Sequence, residues 1–203
     1  MQTLVKEEKK GVLASQLGIL KIPVVTVTAI WAAFLLNLIL GVALFRFGLQ
    51  PRTASGAWGI VAMPLLHAGW THLVSNTLPL LVLTTFLAVT GKGWATMTGI
   101  VVLNGVLLWL FGRNALHVGA SGLVYGLAVF LIVRGLVERK VVLIVVSIVV
   151  AVLYGSVLLS GVLPSDARIS WDGHLFGGVA GGMMACRLRK KPDAAGTRPA
   201  SKT

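Results

Sequence analysis

The chain has 203 residues, 56% of them hydrophobic and only 12% charged, with a mean hydropathy of +0.89. A soluble domain carries about 25% charged residues, so the composition excludes an ordinary water-soluble globule and indicates an integral membrane protein with a single membrane domain. The net charge of +12 does not argue for a nucleic-acid binder, because the basic residues lie between and beyond long apolar runs, as the positive-inside rule describes.

In chain order, residues 1–22 read as a polar, basic cytoplasmic leader, solvated or lying on the membrane surface, with Glu7, Glu8, Lys9 and Lys10 in it. The first predicted span covers about residues 23–45. It is too long for a signal-peptide core and no small-residue cleavage site precedes it, so it reads as retained. Arg46 to about Trp70 is a connection rich in Gly, Pro and Trp, expected to lie partly in the membrane interface. Further spans are predicted at about 71–89, 94–111, 119–137, 141–159 and 171–186, each near the ~20 residues a helix needs to cross a bilayer. Arg134, Glu138, Arg139 and Lys140 mark an aqueous turn between the fourth and fifth. Residues 189–203 read as a basic, disordered cytoplasmic tail. The expected fold is all-α: a polytopic bundle of six transmembrane helices over residues 23–188.

Six spans place both termini on one side. Arg46, Arg52, Arg113 and Arg168 then fall on the opposite side, and the other fourteen of the eighteen Lys and Arg residues fall with the termini. Both termini are therefore expected to be cytoplasmic. The starts of spans two, four and six lie at the outer face, and the chemically interesting residues cluster there.

His72 and Asn76 are an i,i+4 pair heading span two, and Ser121 and Tyr125 are another heading span four. In span six, His174, Gly178 and Gly182 form one stripe beside Gly173, Gly177 and Gly181. Two glycine stripes allow a second helix to approach closely and bring His174 to Ser121. A serine beside a neutral imidazole is the minimal pair for nucleophilic catalysis. The Ser121 N–H at a helix start, with His72 and Asn76, supplies candidate oxyanion donors. Asp172 lies two residues from His174, roughly 200° around a helix, and is expected to point elsewhere, leaving a dyad.

His72-Leu73-Val74-Ser75-Asn76, Gly119-Ala120-Ser121-Gly122 and Gly173-His174-Leu175-Phe176-Gly177-Gly178 together resemble the rhomboid intramembrane serine proteases, in the family's order. The resemblance spans most of the chain and matches the simple six-span bacterial form. It implies Ser121 as nucleophile, His174 as base, His72 and Asn76 as oxyanion partners with Gly119 in support, and Tyr125 packed beneath the His174 ring. It also implies a gate formed by span five and the Ser160–Ser170 loop. Many members carry Trp-Arg after span one; here Arg52 follows Pro51, a partial match. The Leu66-His67 pair also looks like the family.

The expected activity is cleavage of the membrane segments of anchored proteins in the lipid bilayer. No cofactor, metal or nucleic acid is expected. A catalytically inactive relative that binds membrane helices is the alternative. A transporter would favour inverted repeats and polar groups strung through the membrane, which the sequence lacks. His67 and His117 read as loop or interface histidines, and the tryptophans as interfacial anchors. Cys186 is the lone cysteine and forms no internal disulfide.

Overall fold

The computed structural model describes residues 2–41, 44–91, 93–164 and 169–189, with side chains from residue 18 onward. Residues 165–168 of the predicted gate loop and 190–203 of the predicted tail lie outside the described residues. Among the described residues, seven α-helices run in the order α1 (Gln2–Leu40), α2 (Gly59–Ala62), α3 (Trp70–Val89), α4 (Gly93–Phe111), α5 (Ser121–Glu138), α6 (Val141–Gly161) and α7 (Trp171–Arg187). Among the described residues there is no strand, only one isolated antiparallel bridge between Leu49 and His117.

Among the described residues, five helical stretches are long and apolar enough to cross a membrane: Gly18–Leu40 of α1, then α3, α4, α5 and α6. The sixth predicted span is α7, which has 17 residues, at the short end of the range of about 17–25 for a crossing helix. Its five glycines also dilute its apolar character. The other predicted boundaries shift less. The expected break between leader and first span is absent, because α1 continues through Pro23. That proline costs the helix one hydrogen bond without ending it. The helix stops at Leu40, short of the predicted Phe45, because Gly41 takes a φ of +57°. Just beyond it, Asn37 Oδ1 accepts the Leu44 N–H at 2.7 Å.

The central helix is α5, which packs against α7 most extensively and also against α6, α3 and α4. The close approach of α5 and α7 comes from one glycine stripe. A side chain at Gly177 or Gly181 would run into the carbonyl oxygens of Gly122 and Gly126. Gly178 and Gly182 face Val129 more loosely, so the second predicted stripe is not the contact. Around this axis Leu73, Leu80, Leu83 and Leu87 of α3 pack with Ile100, Leu127 and Phe130. By contrast α6 leans on α5, touches α7 only slightly and exposes Val145, Ile148 and Val152.

Two segments depart from their predicted setting. The 46–70 connection is folded inward as well as along the surface: Leu49 and Met63 are buried while Trp58 and Val61 are exposed. Its backbone is close enough that side chains at Gly59 and Gly105 would strike Leu49 and Ile60. Arg134 and Glu138, expected in an aqueous turn, form a buried i,i+4 ion pair at 2.8 Å, because α6 folds back over Gly135 through Leu143 and Ser147. Trp31, expected as an interfacial anchor, instead donates to Thr77 Oγ1 at 3.1 Å and ties α1 to α3.

Candidate active site

The approach to α5 is held from both sides. His117 exchanges both backbone hydrogen bonds with Leu49, at 2.8 and 2.9 Å. Two residues on, Gly119 adopts φ +111°, a region open to glycine and strained for other residues, and donates its N–H to Met63 O at 3.0 Å. The chain then turns into α5, whose first residue is Ser121. No side chain caps this helix, so its first amides carry the partial positive charge of an uncapped N-terminus.

The matching element is α7. Its close seat on α5 brings His174 Nε2 to 2.9 Å from Ser121 Oγ. On the other edge of the ring, Nδ1 lies 2.8 Å from the Gly161 carbonyl oxygen. A carbonyl only accepts, so Nδ1 carries the proton and Nε2 is left to accept from the serine. Tyr125 stacks on the imidazole at 4.2 Å with the ring planes 8° apart, and its hydroxyl donates to Val157 O at 2.6 Å. Val157 and Gly161 both belong to α6, so α6 supplies the floor that orients the imidazole.

His72 lies beside this pair. A side chain at Gly119 would run into the His72 ring, so the ring rests on the turn before Ser121. His72 has no side-chain hydrogen bond among the described residues and lines the cavity. Asn76, three residues past the buried Leu73, is itself buried. Its Nδ2 donates to His72 O at 2.9 Å and lies 3.3 Å from His67 Nε2, so its amide hydrogens face protein partners. Gly119, expected as oxyanion support, has its N–H occupied by Met63 O and contributes its backbone shape instead.

These side chains line one open cavity of about 850 Å³, bounded by His72, Asn76, Arg113, His117, Ser121 and His174. Asp172 turns away from the His174 ring, as its place on the helix requires. Its Oδ2 accepts the Arg113 N–H at 2.9 Å and lies 3.8 Å from His117 Nε2. Arg52 does not line this cavity: its Nη1 donates to Gly112 O at 2.7 Å and to Leu110 O at 3.3 Å. There it satisfies carbonyls at the end of α4, a favourable place for a cation.

His67 and His117, read as loop or interface residues, do lie in loops, but both are buried. Burial pushes His67 down to about 4, with the neighbouring His72 adding to the effect. Burial also lowers His117, outweighing the nearby Asp172 carboxylate. Sequence reasoning missed the Gly161 carbonyl entirely, and it missed the engagement of His67 with Asn76. The former left no signal; the latter was foreshadowed only by a histidine nine residues before Asn76.

Residues 54–191 match the family described as Rhomboid domain. Among curated proteins, uncharacterized proteins from Mycobacterium tuberculosis and Mycobacterium bovis are each 42% identical over 157 residues, covering 72% of this chain and 65% of their own length. An uncharacterized protein from Mycobacterium leprae is 39% identical over 148 residues, covering 67% of this chain and 57% of its own. The chain thus spans less than two thirds of the length of these relatives.

Proposed function

The chain belongs to the rhomboid family, and from that premise we propose that it is an intramembrane serine endopeptidase that cleaves the membrane segments of anchored proteins. The observation that carries this reading is the 2.9 Å contact between Ser121 Oγ and His174 Nε2 in a cavity large enough for an extended peptide.

In this mechanism Ser121 Oγ attacks the scissile carbonyl carbon while His174 Nε2 takes its proton. The tetrahedral oxyanion is met by the α5 N-terminus and by His72, whose ring faces the cavity. The His174 proton passes to the leaving amine, the C–N bond breaks, and an acyl-Ser121 ester remains. Water, activated by the same imidazole, hydrolyses that ester and restores the serine. The Gly161 carbonyl takes the orienting position that a carboxylate holds in a triad. It fixes the tautomer but offers less charge to the imidazolium than a carboxylate would. Asn76 supports the site by bracing His67 and the first turn of α3.

A substrate helix shields its own amides by hydrogen bonding, so it must unwind before attack. Loosely packed α6 is the gate in this reading, since it borders the catalytic ring and has few other contacts in the bundle. The topology that accompanies it has six spans, with short α7 as the sixth, sheltered between α4 and α5, and both termini in the cytoplasm.

The test uses purified protein in proteoliposomes with a transmembrane reporter substrate. Ser121→Ala and His174→Ala should each lower kcat by about 10³-fold or more, and a fluorophosphonate should label the wild-type serine. Cleavage retained by either variant overturns the reading. Absent labelling with undiminished capture of the reporter helix favours a non-catalytic binder.

A further inference from the structure

The loops that lead into Ser121 and His174 are joined by a second contact that the mechanism above does not use. His117 Nδ1 lies 2.6 Å from Ser170 Oγ. His117 precedes Ser121 by four residues and Ser170 precedes His174 by four, so the contact repeats the catalytic pair one helical step earlier with the two residue types exchanged.

Ser170 stands at the N-cap of α7, yet its side chain makes no cap hydrogen bond to the helix. A serine in that position normally binds the amides of the first turn. Here the hydroxyl is turned across the cavity to His117, with Asp172 Oδ1 at 3.4 Å. His117 Nε2 is satisfied by the Arg113 carbonyl oxygen at 3.2 Å, which places the ring proton there and leaves Nδ1 to accept from Ser170. The room for this turn comes from Gly173, where a Cβ would sit 2.6 Å from Ser170 Oγ.

Both ends of the contact are anchored. His117 is locked by its two backbone bonds to Leu49, and only 2% of its surface is exposed. On the other side, the Ser170 carbonyl oxygen accepts the His174 N–H at 3.0 Å, the bond that sets the first turn of α7. Arg113 adds two further ties: its backbone N–H binds Asp172 Oδ2, and its guanidinium binds the Ile169 carbonyl. Lower down, the glycine stripe fixes the line of α7 but not the fraying of its first turn, where helix hydrogen bonds are fewest.

We propose that Ser170, held by its hydrogen bond to His117, is a positioning residue that holds the first turn of α7 and thereby keeps the His174 imidazole on Ser121. The proposal rests on the protease reading for its effect on rate, although the geometric effect stands apart from it. Hydrogen bonds at an aligned reacting pair control rate more than affinity, because a displacement of about 1 Å costs on the order of 100-fold. Loss of the grip therefore lowers kcat and leaves KM nearly unchanged.

The experiment compares wild type, Ser170→Ala, Ser170→Thr, His117→Ala and the Ser170→Ala/His117→Ala double variant in proteoliposomes. Three quantities are read: the second-order rate of fluorophosphonate labelling at Ser121, kcat and KM on the reporter, and the ¹⁵N spectrum of the histidine rings. Ser170→Ala and His117→Ala should each slow labelling and kcat by about tenfold or more, with KM within about twofold. Ser170→Thr, which keeps the hydroxyl, should recover most of the rate. The double variant should be no slower than either single, as residues acting through one contact require. The His174 ring signals should move in Ser170→Ala and stay in Ser170→Thr. Labelling and His174 signals unchanged in a folded Ser170→Ala protein overturn the proposal, as does an effect confined to KM. If Ser170→Ala does not fold, His117→Ala carries the same comparison from the other end of the contact, and unchanged labelling and His174 signals in that folded variant overturn the proposal. If wild type itself is unlabelled, the protease reading falls, and the ring spectra alone decide whether Ser170 positions His174.

Discussion

The Gly161 carbonyl oxygen at the end of α6 sits 2.8 Å from His174 Nδ1 on α7, and the same glycine closes against the Tyr125 hydroxyl. A backbone atom thus sets the tautomer of the His174 imidazole, with a stacked tyrosine on its face. The arrangement leaves no space for a side chain: a Cβ at residue 161 would run into Tyr125 Oη and lie 3.2 Å from His174 Nδ1. Gly161→Ala should therefore lower kcat by about 10- to 100-fold through displacement of the ring, while the protein remains folded. Reporter cleavage alongside a detergent melting curve checks this; unchanged kcat in the alanine variant contradicts the arrangement.

Gly119 makes a second, different demand for glycine. Its φ of +111° is strained for a residue with a side chain, and the space beside its Cα is filled by the His72 ring. Gly119→Ala should destabilise the fold by about 2–3 kcal/mol from strain and overpacking together. It should also displace the proposed oxyanion donor, so the labelling rate of Ser121 should fall even at temperatures where the variant is folded. Chemical denaturation and probe labelling measured on one preparation separate the two effects.

His67 predicts a pH dependence of stability. Burial holds it at about 4 in the folded chain against an ordinary value of 6.5. Below pH 6.5 the unfolded chain binds this proton and the folded chain does not, so stability rises with pH across that interval. It is complete above pH 6.5, falls as the pH drops towards 4, and then levels. His117, lowered by burial as well, acts with the same sign. His67→Gln removes the His67 contribution, so its stability curve should be flatter than wild type between pH 6.5 and 4. Parallel curves for the two proteins would show that His67 does not titrate in this range.

Much of the site was legible before any coordinates. Ser121 and Tyr125, and His72 and Asn76, stand four residues apart on apolar helices, and that spacing alone puts each pair on one face. The Gly177 and Gly181 stripe identifies the surface that a second helix can approach. The offset between Asp172 and His174 excludes a shared direction. Boundaries were less legible: the end of α1 depended on Gly41 taking a left-handed conformation, and the length of α7 on where Ser170 releases the chain into a helix.

By itself the sequence determined the solvent and the secondary structure. Long apolar runs must bury their backbone groups in helices within lipid, and the order of the polar residues along those helices picked out Ser121 and His174. Only the tertiary structure decided how the pair is held. The Gly161 carbonyl is a group that every residue has, so no residue type announces it. The His117 and Ser170 contact joins positions 53 residues apart, and the inward fold of Leu49 holds His117. These contacts arise where distant segments meet, and periodicity reports only what lies within one helix.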